Sequence, residues 1–246
     1  MVVTMKEWFM KNIIRTYVML AALIWCQGVI ISNPENNESV AVLASYGLGD
    51  SPVNAKYGYR PLAPHGTENI CVPVFSCDSL YSAIFNPNSY VTDLHQVACD
   101  YDFAQKKFVA IGHSRGAEML IHYVGQCNPA TLQALVLVAT PASVGAVVME
   151  KLLRKLKKVP ARTLQSIKKI KNKQLPIMLL HQEQDSLVPV SHTQALYQAF
   201  KDQGFENVSV LYMKSGDHNL IVDLVAYKAL QQFYKNNNLP YNATAL

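Results

Sequence analysis

Several shortages narrow what this 246-residue chain can be. It has no internal repeat and no low-complexity tract, which excludes solenoids, propellers and long disordered arms. Only 16% of its residues are charged and half are hydrophobic, so one globular α/β domain can bury a sizeable core. The five cysteines and seven histidines show no spacing that resembles a zinc site. The apolar stretch near the N-terminus falls short of the ~20 residues that comfortably span a bilayer. Acids are scarcest between residues 142 and 175, where Glu150 is the one acid among ten Lys and Arg. The net charge of +5 is therefore concentrated in that stretch, and a general affinity for nucleic acid does not follow from it.

The first residues read as a targeting segment. Lys6, Lys11 and Arg15 precede the apolar core Tyr17–Cys26, and Cys26 and Gly28 are small residues at cleavage spacing. This predicts a signal peptide over 1–28 and an exported protein, periplasmic or secreted, anchored to the membrane if the segment is not cut. Four cysteines would then remain, Cys71, Cys77, Cys99 and Cys127. They allow two disulfides in three pairings, and Cys71–Cys77 is the local one.

The rest alternates strands with helices. Val40–Ala44, Phe108–Ile111, Leu132–Ala139 and Ile177–Leu180 are short, continuous apolar runs of the kind buried on both faces of a sheet. Val208–Met213 is a further strand, and Ile70–Phe75 is another, weakened by Pro73. Helical spacing is expected over Val91–Ala104, after Ser114, over Ser191–Asp202 and in a closing helix to Lys235. The alternation indicates an α/β fold with a doubly wound, mostly parallel sheet. Residues 142–175 interrupt it. There Met149, Leu152, Leu153 and Leu156 share one helical face, and Leu164, Ile167 and Ile170 share another, which predicts two short basic amphipathic helices.

The pentapeptide Gly112-His113-Ser114-Arg115-Gly116 sits between an apolar strand and a helix. That is the setting of a nucleophile elbow, whose sharp turn holds a serine in strained geometry between glycines. In open parallel sheets, chemistry gathers at the C-terminal ends of the strands. Three such ends carry Ser114, Asp185 and His218, in that order. A serine hydroxyl needs a base in contact, an imidazole can take and return its proton, and a carboxylate fixes the imidazole tautomer. Glu183 and Asp217 are rival acids and His181 is a rival base. His113 flanks the serine and is expected to point into the packing. The oxyanion donors would be the N–H groups of Arg115 and Leu48.

These pieces resemble the α/β-hydrolase superfamily of the esterase, lipase and serine-aminopeptidase kind. The matching segments are Tyr46-Gly47-Leu48-Gly49, the elbow at 112–116, Asp185-Ser186-Leu187-Val188-Pro189 and Gly216-Asp217-His218. Tyr46 stands where the family usually has histidine. The family's first two strands have almost no room before Val40, so the resemblance implies a sheet of about six strands. It places 142–175 where members carry a cap. It implies hydrolysis of an ester, thioester or amide through an acyl-enzyme, with no cofactor or metal, on a small-molecule or lipid substrate. The cap lysines would meet an anionic membrane surface. A non-catalytic binding protein of the same fold is the contrasting reading.

Overall fold

The computed structural model describes residues 40–47, 59–67, 70–72, 87–143, 147, 159–214, 216–218 and 224–245. The predicted signal segment, Leu48, Cys77 and most of the first basic helix lie outside them. Among the described residues no helix is long and apolar enough to cross a membrane.

Six strands form one sheet: β1 (Ala41–Ser45), β2 (Ile70–Cys71), β3 (Phe108–His113), β4 (Leu132–Val138), β5 (Ile177–Gln182) and β6 (Val208–Met213). Their order is β2-β1-β3-β4-β5-β6 and every pairing is parallel. The helices are α1 (Pro87–Asp100), α2 (Arg115–Cys127), α3 (Ala161–Lys169), α4 (Ser191–Asp202) and α5 (Leu224–Asn236). Every residue of β3 and β5 is buried, which is why these strands read as unbroken apolar runs. The chain moves outward from β1 to β2, then returns to the other side of β1 for β3 and proceeds to β6. The order therefore reverses between β1 and β3, and the crevice at such a reversal is where open α/β sheets place ligands. Ser45 pairs with Gly112, His113 with Val138, and Gln182 with Met213, so the loops after β1, β3, β5 and β6 open on one rim.

Most strands differ from the sequence reading by one or two residues at a boundary, and two elements differ by four. The helix expected over Val91–Ala104 runs from Pro87 to Asp100. Proline at the first helical position is preset for that start. Past Asp100 the chain turns through Asp102, at φ 56°, and Phe103 leaves the helix to stack on Phe108 at 4.5 Å. The strand expected over Ile70–Phe75 is two residues long, ending before the proline that cannot donate to a ladder.

The second amphipathic stretch of 142–175 forms α3, a helix in the connection between the adjacent parallel strands β4 and β5, which needs a crossover. Ile167 and Ile170 are buried and Leu164 is half-buried, as their shared face requires. Lys168 and Lys169 face solvent in the last turn, where cations suit the helix dipole. The helix is also fastened by polar contacts. The Thr163 hydroxyl donates to the Ala142 carbonyl at 2.7 Å, and Ser166 Oγ lies 2.8 Å from Nδ1 of buried His122 on α2. Each such bond contributes about 1 kcal/mol net. His122 Nε2 lies 3.6 Å from Glu118 Oε1, one turn back on α2.

Gly125 is the point of closest approach. A Cβ there would lie 2.4 Å from the Ser166 carbonyl oxygen. Alanine should gain about 1 kcal/mol of helix propensity in α2, but overpacking against backbone costs about 1–3 kcal/mol or more. Gly125→Ala is therefore expected to lose about 1–2 kcal/mol net, lowering the thermal midpoint by about 2–8 °C. An unchanged or raised midpoint by calorimetry would show that α3 does not seat on α2 this closely.

Candidate active site

Ser114 forms the turn between β3 and α2 with φ 53° and ψ −130°, a conformation that L-residues rarely adopt. Two glycines make the turn fit. A Cβ on Gly112 would sit 2.6 Å from Ala117 Cα, and one on Gly116 would sit 2.2 Å from the Ser45 carbonyl oxygen. The Ser114 N–H donates to the Val138 carbonyl at 2.8 Å, which ties the turn to β4. Ser114 is half-buried, so its hydroxyl can be reached from the rim.

His218 lies 2.9 Å from Ser114 Oγ through Nε2, and 2.7 Å from Asp185 Oδ2 through Nδ1. A carboxylate only accepts, so Nδ1 carries the proton. Nε2 then presents its lone pair to the serine hydroxyl. The structure thus brings Ser114, Asp185 and His218 together from 104 and 33 residues apart. Asp185 Oδ1 accepts the N–H groups of Leu187 and Val188, both at 2.8 Å. Burial works to raise the Asp185 carboxyl, but the hydrogen bonds from the His218 ring and from these N–H groups outweigh it and hold it below the ordinary carboxylate value.

The rival groups fall elsewhere. Glu183 is exposed, its backbone N–H bonded to the Met213 carbonyl. Asp217 Oδ1 accepts the Ser186 N–H at 3.0 Å, the Ser186 hydroxyl at 2.8 Å and the His218 N–H at 2.7 Å. These donors hold its carboxyl down to about 2, and they join the loop that carries Asp185 to the loop that carries His218. That joining role was not apparent from the sequence, where Asp217 stood only as an alternative acid. His181 is fully buried, with Nε2 donating to the Val188 carbonyl at 2.9 Å and Nδ1 2.6 Å from the Thr193 hydroxyl. Burial holds its ring below the ordinary histidine value. It lies behind the acid, 3.5 Å from Asp185 Oδ2. His113 is buried, and its Nε2 donates to the His218 carbonyl at 2.8 Å.

Arg115 is the first residue of α2, at the positive end of the helix. Its side chain is buried with the guanidinium 3.8 Å above the Tyr90 ring. Leu48 is outside the described residues, but Gly47 is not. A Cβ on Gly47 would lie 3.2 Å from Ser114 Cβ and 3.7 Å from its Oγ, so the loop after β1 passes directly beside the serine. Among the described residues no cluster of three or more His, Cys, Asp or Glu could hold a metal ion.

The parallel six-stranded sheet, the elbow at its switch point and the rim of loops are those of the α/β-hydrolase fold. Solved structures similar to this chain carry that fold. Maize acyl-protein thioesterase 2 is 17% identical with a TM-score of 0.56, covering 84% of this chain and 96% of its own. A structure described with LipS and LipT, two metagenome-derived lipolytic enzymes, is 13% identical with a TM-score of 0.59, covering 80% and 96%. The esterase domain of a Rhodothermus marinus protein is 18% identical with a TM-score of 0.55, covering 85% and 91%. No family model matches the sequence, and neither does any curated protein.

The Asp217 contacts imply a pH signature in stability. Its carboxyl is lowered in the folded state, from the ordinary 3.8 to about 2, so the unfolded chain binds a proton first on acidification. Its stabilising effect is complete above about pH 4 and is lost as pH falls toward 2. Asp217→Asn should lower the thermal midpoint at pH 7 and flatten its decline between pH 4 and 2. An equally steep decline in the variant would assign that acid limb to other groups.

Proposed function

We propose that the protein is a serine hydrolase that cleaves a carboxylic ester, or the related thioester or amide, of a small-molecule or lipid substrate through an acyl-enzyme on Ser114. The observation that carries this reading is the unbroken contact from Ser114 Oγ to His218 Nε2, at 2.9 Å, and from His218 Nδ1 to Asp185, at 2.7 Å. His218 takes the hydroxyl proton as Ser114 Oγ attacks the acyl carbon. The developing imidazolium is stabilised by Asp185, which stays ionised because its hydrogen bonds favour the charged form. The oxyanion is received by the N–H of Arg115 and by the loop Tyr46-Gly47-Leu48, each donor contributing about 3 kcal/mol to transition-state stabilisation. His218 returns the proton to the leaving group, and water admitted by the same base then releases the acid.

The similar structures include enzymes described as an esterase, as lipolytic and as a thioesterase, all acyl-transfer activities for which such a constellation suffices. The exposed Lys168, Lys169 and Lys171 continue the basic run 142–175. They suit a lipid ester presented at an anionic surface.

A fluorophosphonate probe is expected to label the wild type and to leave folded Ser114→Ala unlabelled. Turnover of p-nitrophenyl esters should fall at least about 10⁴-fold in Ser114→Ala. Asp185→Asn should lose about 10³–10⁴-fold, mainly in kcat. Absence of both labelling and turnover in a folded wild type would leave the non-catalytic binding protein as the reading. A panel of esters of increasing acyl length would set the substrate.

A further inference from the structure

A second group of reactive side chains lies on the helical layer, apart from the rim. Cys99 in the last turn of α1 and Cys127 at the end of α2 flank one imidazole, that of His95. Cys99 Sγ is 3.7 Å from His95 Nε2, and Cys127 Sγ is 3.7 Å from His95 Nδ1. Cys99 and Cys127 are unbonded thiols, and all three residues are exposed. The two sulfurs meet opposite nitrogens, so one ion could not be ligated by all three groups as they stand. The arrangement suits proton transfer instead. A neutral imidazole has one N–H and one lone pair. At any moment one thiol can donate to the ring while the other sulfur accepts from it. The buried Tyr123 phenol, pushed up first by burial, is pushed further by Cys127 and by Cys99, which places both sulfurs in its field.

We propose that Cys99 and Cys127 are a redox-responsive pair, which a low-molecular-weight disulfide converts into a cross-link between α1 and α2 with His95 as the proton acceptor. The step balances as thiol–disulfide exchange. The Cys99 thiol gives its proton to His95 and attacks one sulfur of glutathione disulfide, and the glutathione thiolate that leaves takes this proton from the ring. The Cys127 thiol then gives its proton to His95 and attacks the mixed disulfide at Cys99 Sγ, and the second glutathione thiolate leaves and takes that proton. Two protein thiols are oxidised to one disulfide, and one glutathione disulfide is reduced to two thiols. Burial and the neighbouring Cys99 push the Cys127 thiol up, which suits it to resolve rather than to initiate. The His95 ring has to swing from between the sulfurs as the bond closes, and it is exposed.

The full chain, treated with glutathione disulfide, should be cleaved before aspartates and mapped without reduction. Cleavage at Asp78, Asp93, Asp100, Asp102 and Asp185 isolates Cys99 in 93–99 and Cys127 in 102–184, away from Cys71 and Cys77. The expected product is a cross-link between those two fragments. Cys127→Ser should instead hold one glutathione on 93–99. His95→Ala should slow the cross-link several-fold near pH 7 and recover in alkaline solution, where hydroxide removes the thiol protons in place of the ring; a purely structural histidine would not recover. Both cysteines ending as separate glutathione adducts in the wild type would overturn the proposal. So would a cross-link that includes Cys71 or Cys77, or a folded protein inert where its denatured form cross-links.

Discussion

At Gly116 an added Cβ would lie 2.2 Å from the carbonyl oxygen of Ser45, and at Gly112 one would lie 2.6 Å from the backbone of Ala117. The sharp turn at Ser114 depends on this lack of room. Strand β3 must end, reverse and launch a helix within one residue, and the neighbouring strand leaves space for hydrogen atoms alone. The strain at φ 53° is held because Ser114 is pinned from both sides, by its N–H to Val138 on β4 and by α2 growing from its carbonyl. The serine thereby stands at the place where the strand order reverses. Every other feature of the rim is arranged around a side chain whose backbone has no alternative.

The loops that complete the rim are less constrained by covalent geometry and are held by polar wiring. Asp185 spends one oxygen on the N–H groups of its own turn and the other on His218. Asp217 binds the next residue of that turn and the backbone of His218 together. His113 reaches from the residue before the serine to the carbonyl of His218. The histidine loop is thus held by its neighbour on each side, and the imidazole is oriented before any ligand arrives. Preorganisation of this kind removes reorganisation from the moment of reaction.

Much of the architecture could be read from the chain because parallel strands buried on both faces leave unbroken apolar runs. Val208–Met213 and Ser191–Asp202 have the bounds that their patterns imply. The start of α1 lies four residues before its apolar periodicity begins, because Pro87 is preset for the first helical position and carries no periodic signal. The elbow was legible because strand, glycine, serine, glycine and helix occur in one short stretch. The partners of Asp217, His181 and His113 were not. Each bonds to a backbone group tens of residues away or within a turn of irregular shape, and no local pattern encodes such a pairing. The face shared by Leu164, Ile167 and Ile170 was visible, but its seat on α2 was not, since Gly125 carries no side chain to signal a close approach.

The hydrogen bond from the Thr163 hydroxyl to the carbonyl of Ala142 brings positions 142 and 163 together at a common neck. A loop closed at its base can be lengthened with only a logarithmic entropy penalty, about 0.6 kcal/mol per doubling. With positions 142 and 163 tied, a change of length between them need not alter the spacing of β4 and β5.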